Sequence, residues 1–212
     1  MINKKALVCL TIILFSGCAS PTANVAENYA ISSDSSNGLL VGSIEYRGPL
    51  SGYRVYYRGL YNDQRGYFEA GVGMMLIPIP PKSDFSDKKG SLQVVELPPG
   101  KYEIANWAVQ SGYANVGQTQ PFSINFIIEP GKATYIGSFV FSATDRMGLT
   151  VTGVQVDFTE SYESDSKVLR QRYPGLASTD IFMGVEPGYV KKDIGGNSSV
   201  YWDMPSVYLP IY

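Results

Sequence analysis

Residues 122–135 read Phe122-Ser123-Ile124-Asn125-Phe126-Ile127-Ile128-Glu129-Pro130-Gly131-Lys132-Ala133-Thr134-Tyr135, and the alternation in this stretch decides the fold class. Side chains of a strand point to opposite faces in turn. Phe122, Ile124, Phe126 and Ile128 therefore share one face, opposite Ser123 and Asn125, with Ile127 the one apolar exception on the polar side. A half-buried antiparallel strand fits that pattern. Glu129-Pro130-Gly131-Lys132 follows with Pro second and Gly third, the order of a type II turn, whose third residue needs positive φ. The chain is then expected to re-enter a sheet through Tyr135, Gly137, Phe139 and Phe141.

The flanking sequence repeats these devices. Pro98-Pro99-Gly100-Lys101 leads into an extended run at 102–109. Residues 39–46 and 53–57 read as strands joined through Gly48-Pro49 and Ser51-Gly52. Residues 70–79 are apolar but interrupted by Gly71, Gly73 and Pro78, which predicts a buried or bulged strand running into a polar loop over 80–90. Along 149–158 the apolar residues switch from odd to even numbers at Gly153, as a β-bulge there would require. One short helix is expected near 165–173: Ser164 or Asp165 caps it, Leu169 and Tyr173 share a face, and Pro174-Gly175 stops it. With 22 Gly, 13 Pro and 16 Tyr and almost no long helical period, the chain reads as all-β, an antiparallel β-sandwich carrying that one helix.

The first residues differ in kind. Lys4 and Lys5 precede the apolar stretch from Ala6 to Phe15, which is too short to span roughly 30 Å of hydrocarbon as a helix and so reads as a signal peptide, residues 1–17. The stretch runs into Leu14-Phe15-Ser16-Gly17-Cys18, which resembles the bacterial lipobox, with Phe15 standing where an aliphatic residue is usual. That resemblance implies a diacylglycerol on the Cys18 thiol and cleavage before it. It also implies anchoring by more than one acyl chain, as stable anchoring needs. Ala19 follows the cysteine instead of an acid, which by the same resemblance implies the outer membrane, facing the periplasm. Residues 18–37 are rich in Ser and lack an apolar period, so they are expected to be a lipidated flexible tether.

Composition excludes several classes of chemistry. Cys9 and Cys18 are the two cysteines and histidine is absent. Once Cys9 is removed and Cys18 acylated, no thiol remains for a disulfide, and the usual nitrogen and sulfur ligands of zinc, copper or haem iron are missing. A Ser-His-Asp or Cys-His arrangement is impossible within the chain. No metal, cofactor or catalytic residue is assigned. The mature chain carries 15 basic against 19 acidic side chains, which is no footprint for nucleic acid.

Two motifs together carry a family resemblance. Leu97-Pro98-Pro99-Gly100-Lys101-Tyr102-Glu103-Ile104 and Ile128-Glu129-Pro130-Gly131-Lys132-Ala133-Thr134-Tyr135-Ile136-Gly137 are similar to the Pro-Gly-Lys/Tyr turns that open inner strands in prealbumin-like or carboxypeptidase-regulatory-like sandwiches. Tyr173-Pro174-Gly175-Leu176 resembles the helix ending of some bacterial lipoproteins with such domains. The resemblance spans residues 38–176 and implies a prealbumin-like or Ig-like sandwich. It brings no catalytic residue. Residues 177–212, with Tyr189, Tyr201, Trp202, Tyr208 and Tyr212, are too apolar for a disordered tail and are expected to pack on the sandwich or to add an edge strand.

The remaining motifs are weaker. Gly71-Val72-Gly73 lacks the third glycine and the helix of a dinucleotide fingerprint. Asp157, Glu160, Glu163 and Asp165 have the chemistry to ligate calcium or to act as a carboxylate pair, but acids before a helix ordinarily cap it. Asn197-Ser198-Ser199 reads as a polar loop. The functional slant comes from Tyr53, Arg54, Tyr56, Tyr57, Arg58 and Tyr61, because Tyr and Arg are enriched where proteins bind partners. Their competing reading is ordinary strand packing. The expectation is a membrane-anchored envelope lipoprotein that serves as a non-catalytic binding or scaffold module for an envelope protein partner. The alternative is a cell-wall glycan hydrolase working through carboxylates, which need no histidine.

Overall fold

The computed structural model describes residues 20–73 and 81–203; the signal segment, Cys18 and the second half of the apolar run at 70–79 lie outside them. Among the described residues, thirteen strands form two sheets. The first contains β1 (Ser20–Pro21), β3 (Gly52–Gly59), β4 (Arg65–Ala70), β6 (Gly100–Ser111), β7 (Ala114–Gln118), β8 (Ile124–Ile128) and β13 (Ser198–Trp202). Its order is β1-β4-β3-β6-β7-β13, with β8 also on β6. The second contains β2 (Gly38–Arg47), β5 (Gly90–Leu97), β9 (Ala133–Met147), β10 (Thr150–Thr159), β11 (Ile181–Met183) and β12 (Val190–Lys191). Its order is β12-β10-β9-β2-β5, with β11 on β9. Most pairs are antiparallel, but β2 and β11 both run parallel to β9, and β1 runs parallel to β4. The fold is an all-β sandwich with one short helix.

Between the sheets the core is aromatic. Tyr53 of the first sheet stacks on Tyr46 of β2 at 4.6 Å and meets Phe141 of β9 edge-on at 5.4 Å, while Trp107 meets Phe141 at 6.0 Å. Burying rings of this size contributes about 2–3 kcal/mol each before conformational entropy is counted. The alternation of 122–128 appears as expected: Phe126 and Ile128 are buried and Ile127 is half exposed. The turn at Glu129–Lys132 has Gly131 at φ 66°. The bulge at Gly153 is present, as a double shift in the register of β10 against β9.

The second sheet is covered on both faces over β2 and the first half of β9. Its outer face carries α1 (Tyr162–Arg172), followed by a 3-10 turn at Pro174–Leu176. The helix starts three residues earlier than the sequence predicts. Ser161 stands at its cap without a side-chain bond, and the Glu160 carboxylate accepts from the Tyr162 amide instead. Asp165 is consequently no cap; it points into the body. Double coverage also explains why β2 is buried from Gly38 to Tyr46.

The segment expected to be a free tether is docked from its first described residues. Ser20 pairs with Gly66 and Pro21 with Tyr67, and residues 22–37 then cross to the other sheet as a strap. There Asn24 acts as a backbone mimic: its Oδ1 accepts from the Val94 amide and its Nδ2 donates to the Leu92 carbonyl, while the Val25 amide donates to the Val94 carbonyl. Ser83 and Asp84 satisfy the neighbouring outward groups at Gly90 and Leu92. The edge of β5 is thus paired without a further strand. Residues 178–203 also lie on the sandwich, where they supply β11, β12 and β13; Ser198 and Ser199, expected in a loop, begin β13.

Candidate binding face

The Tyr/Arg segment falls on β3 and the hairpin after it, and the two-residue period of a strand splits it. Tyr53 and Tyr57 point inward, and burial overturns their assignment as contact residues. The Tyr53 hydroxyl donates to the Pro49 carbonyl at 2.7 Å, and burial pushes its pKa up to about 12. Tyr57 stacks on Phe68 at 5.0 Å, and its hydroxyl meets Thr22 of the strap at 3.0 Å. Arg54, Tyr56 and Arg58 point outward from the first sheet. Tyr61 stands apart at the hairpin tip, 85% exposed.

Neighbouring strands hold the outward groups. Arg54 donates to Glu69 at 3.1 Å and to Gln110 at 2.9 Å, with its guanidinium 5.1 Å from the ring centre of Tyr67. Tyr56 leans on the same Tyr67 ring. Arg58 pairs with Glu103, which also accepts from Ser123 at 2.9 Å. Burial would raise the Glu103 pKa, but the hydrogen bonds from Arg58 and Ser123 and the Arg58 charge outweigh it and hold it below the usual carboxylate range.

Beside these residues a groove of about 640 Å³ runs across the outer face from Tyr56 and Arg58 to Tyr201 of β13. Its floor includes Asn106, Ala108 and Gly117. A bulge in β6 shapes it: the register against β3 shifts between Tyr56 and Tyr57, leaving Ala105 unmatched. Gln118 fills the gap, accepting from the Trp107 amide and donating to the Ala105 carbonyl. Gly117 has no positive φ, and a Cβ there would meet nothing within 4 Å. Neither turn geometry nor packing requires glycine at that place; its effect is a lower floor. Aromatic walls, amide and guanidinium edges and a shallow floor suit ring stacking and hydrogen bonding to a bound surface.

Sequence reasoning missed the floor and the far wall. Tyr201 was visible only as one aromatic in the tail, because nothing local shows that β13 pairs with β7, with Tyr201 opposite Asn115.

The acidic group 157–165 is dispersed into separate tasks. Asp157 accepts from the Asp193 amide, Glu160 from the Gly188 and Tyr162 amides, and Glu163 pairs with Lys167. Asp165 lies sealed beneath α1, where Ser43 Oγ donates to it at 2.6 Å and the Tyr135 hydroxyl at 2.9 Å, with Lys88 Nζ at 3.8 Å. Among the described residues, no three His, Cys, Asp or Glu gather where a metal ion would sit, and no helix is long and apolar enough to cross a membrane. No protein family, curated protein or solved structure matches the chain.

Proposed function

We propose that the chain is a lipid-anchored component of the bacterial cell envelope, held by acyl chains on Cys18 in the outer membrane and facing the periplasm. It serves as a non-catalytic module that binds an envelope protein through the outer face of its first sheet. The paired Pro-Gly-Lys turns support placing its sandwich among the prealbumin-like modules. The observation that carries the binding role is the groove between Tyr56 and Tyr201, with its needlessly small residue at Gly117. The carboxylate hydrolase has no comparable support, since the acids that suggested it are engaged in holding the fold.

A photoreactive residue introduced at Tyr201 in intact cells tests the binding role. A discrete adduct with one envelope protein is expected, and Gly117→Phe should abolish it while leaving the melting temperature within a few degrees, because the ring enters open space. An adduct indifferent to Gly117→Phe, or no adduct at all, overturns the role. Anchoring has its own test. Cys18→Ser should end incorporation of labelled fatty acid and leave a misprocessed precursor, whereas Cys9→Ser should change neither, because Cys9 leaves with the signal peptide.

A further inference from the structure

We infer that the tip of the β3–β4 hairpin, Leu60 and Tyr61, is a second membrane contact, seated in the headgroup layer of the bilayer that holds the lipid on Cys18. The inference rests on the anchoring proposed above and adds to it a contact surface and an orientation.

β1 runs parallel to β4, with Ser20 opposite Gly66 and Pro21 opposite Tyr67. Travelling back from Ser20 is therefore travelling toward the beginning of β4 and the hairpin turn that precedes it. Cys18 is two residues from Ser20, and two residues span at most about 7 Å. Acyl chains on Cys18 thus bring the bilayer surface to the hairpin end of the first sheet. At that end Leu60 is 40% and Tyr61 85% exposed.

The tip is also held in shape. The Gly59 amide donates to the Gln64 carbonyl at 2.7 Å, the Leu60 amide to the Lys101 carbonyl at 2.8 Å, and the Gln64 amide to Asn62 Oδ1 at 3.1 Å. A pre-shaped turn loses little further entropy on seating. Tyrosine suits the place, since its ring enters the interfacial layer while its hydroxyl stays with headgroups and water. Beside an acyl anchor, one leucine and one tyrosine add orientation more than affinity.

The fold supplies a control at its other end. Met147 and Leu149 flank the tip of the β9–β10 hairpin, 62% and 83% exposed. Val151, just past that tip, donates to Ser111 Oγ, which accepts from Ser51 Oγ, and Ser51 immediately precedes β3. Leu60 follows β3, so the eight residues of that strand separate the two tips, about 26 Å at strand rise. Leu149 is as apolar as Leu60 yet faces away from the anchor. The strands then stand toward the membrane, and the groove at Tyr56 and Tyr201 opens sideways to a neighbour in the same envelope layer.

The experiment uses full-length, lipidated Tyr61→Cys and Leu149→Cys. Processing and acylation leave no competing thiol, so each takes one environment-sensitive fluorophore. In phosphatidylethanolamine–phosphatidylglycerol vesicles with brominated acyl chains, quenching at position 61 should exceed that at 149 by at least about threefold, as shallow burial of one tip requires. Equal quenching, with both proteins acylated and floating with vesicles, overturns the membrane contact and leaves the anchoring intact. Failure to take up fatty acid and to float overturns both. If a labelled variant does not fold, hydrogen exchange on the unsubstituted lipoprotein decides: amides at 61–63 should exchange more slowly on vesicles than in detergent, those at 147–149 equally, and an unchanged rate at 61–63 counts against the contact.

Discussion

Asp165 has no exposed surface, yet Ser43, Lys88 and Tyr135 converge on it from three other parts of the chain. Burial pushes its pKa up; the bonds from Ser43 and Tyr135 and the Lys88 charge oppose that, and the nearby Glu45 charge adds to it, leaving the folded value above the ordinary one. A raised folded pKa means the native state holds the proton more tightly than the unfolded chain. Its stabilising share is therefore full below the unfolded value and lost as pH rises through the folded one. Urea melts of the wild type and Asp165→Asn should show a wild-type advantage that is largest in acid and shrinks toward neutrality; an advantage that grows with pH contradicts this. Asp165→Ala, which strands two buried hydroxyls, should cost about 2–4 kcal/mol in acid, and that cost should shrink with rising pH in step with the Asp165→Asn difference. The sequence showed an acid before a helix, and nothing local showed that the helix begins at Tyr162 and turns residue 165 inward. The division of Tyr53, Tyr56 and Tyr57 was more legible, since Arg54 and Arg58 share a parity with Tyr56 and no unpaired guanidinium belongs in a core.

Among the elements, the strap was the least legible. It has no apolar period because it is held by isolated backbone and side-chain-to-backbone bonds and by the irregularly spaced Val25, Tyr29 and Ile31, which leave no repeat to read. Asn24→Ala removes the donor and the acceptor that close the edge of β5, and should cost about 1–2 kcal/mol and hasten exchange of the Val94 amide. Asn24→Asp keeps the acceptor and should fall between the two; wild-type stability in Asn24→Ala would show that water closes the edge equally well. Two of the three irregular strand pairs, β10 with β9 and β2 with β9, teach the same lesson from opposite sides. Gly153 was legible because β10 has one face in the core, so an extra residue visibly changes the apolar phase. Gly137, at φ 98°, accompanies a register shift between β2 and β9, but β9 is buried on both faces there. Residues of either parity are then apolar, and the shift leaves no trace in the pattern.

For the whole molecule, composition and turn chemistry were enough for an all-β sandwich, because many short alternating runs punctuated by Pro-Gly turns have few other ways to bury a core. They did not fix which strands become neighbours. The parallel pairing of β2 with β9 joins segments some ninety residues apart, and the candidate face was hidden for the same reason, since it is assembled from β3, β6, β7 and β13. The clasp that begins at Ser20 has a mechanical side. If Cys18 carries the lipid proposed above, tension on it would enter the body along β1, back past Gly66 and parallel to β4. The bonds at Gly66 and Tyr67, with that of the Thr22 amide to the Tyr67 carbonyl, are then loaded together in shear instead of being unzipped one at a time. A tug strong enough to break them would reach the strap next, before the sandwich, and would bare the edge of β5 to whatever strand lies near.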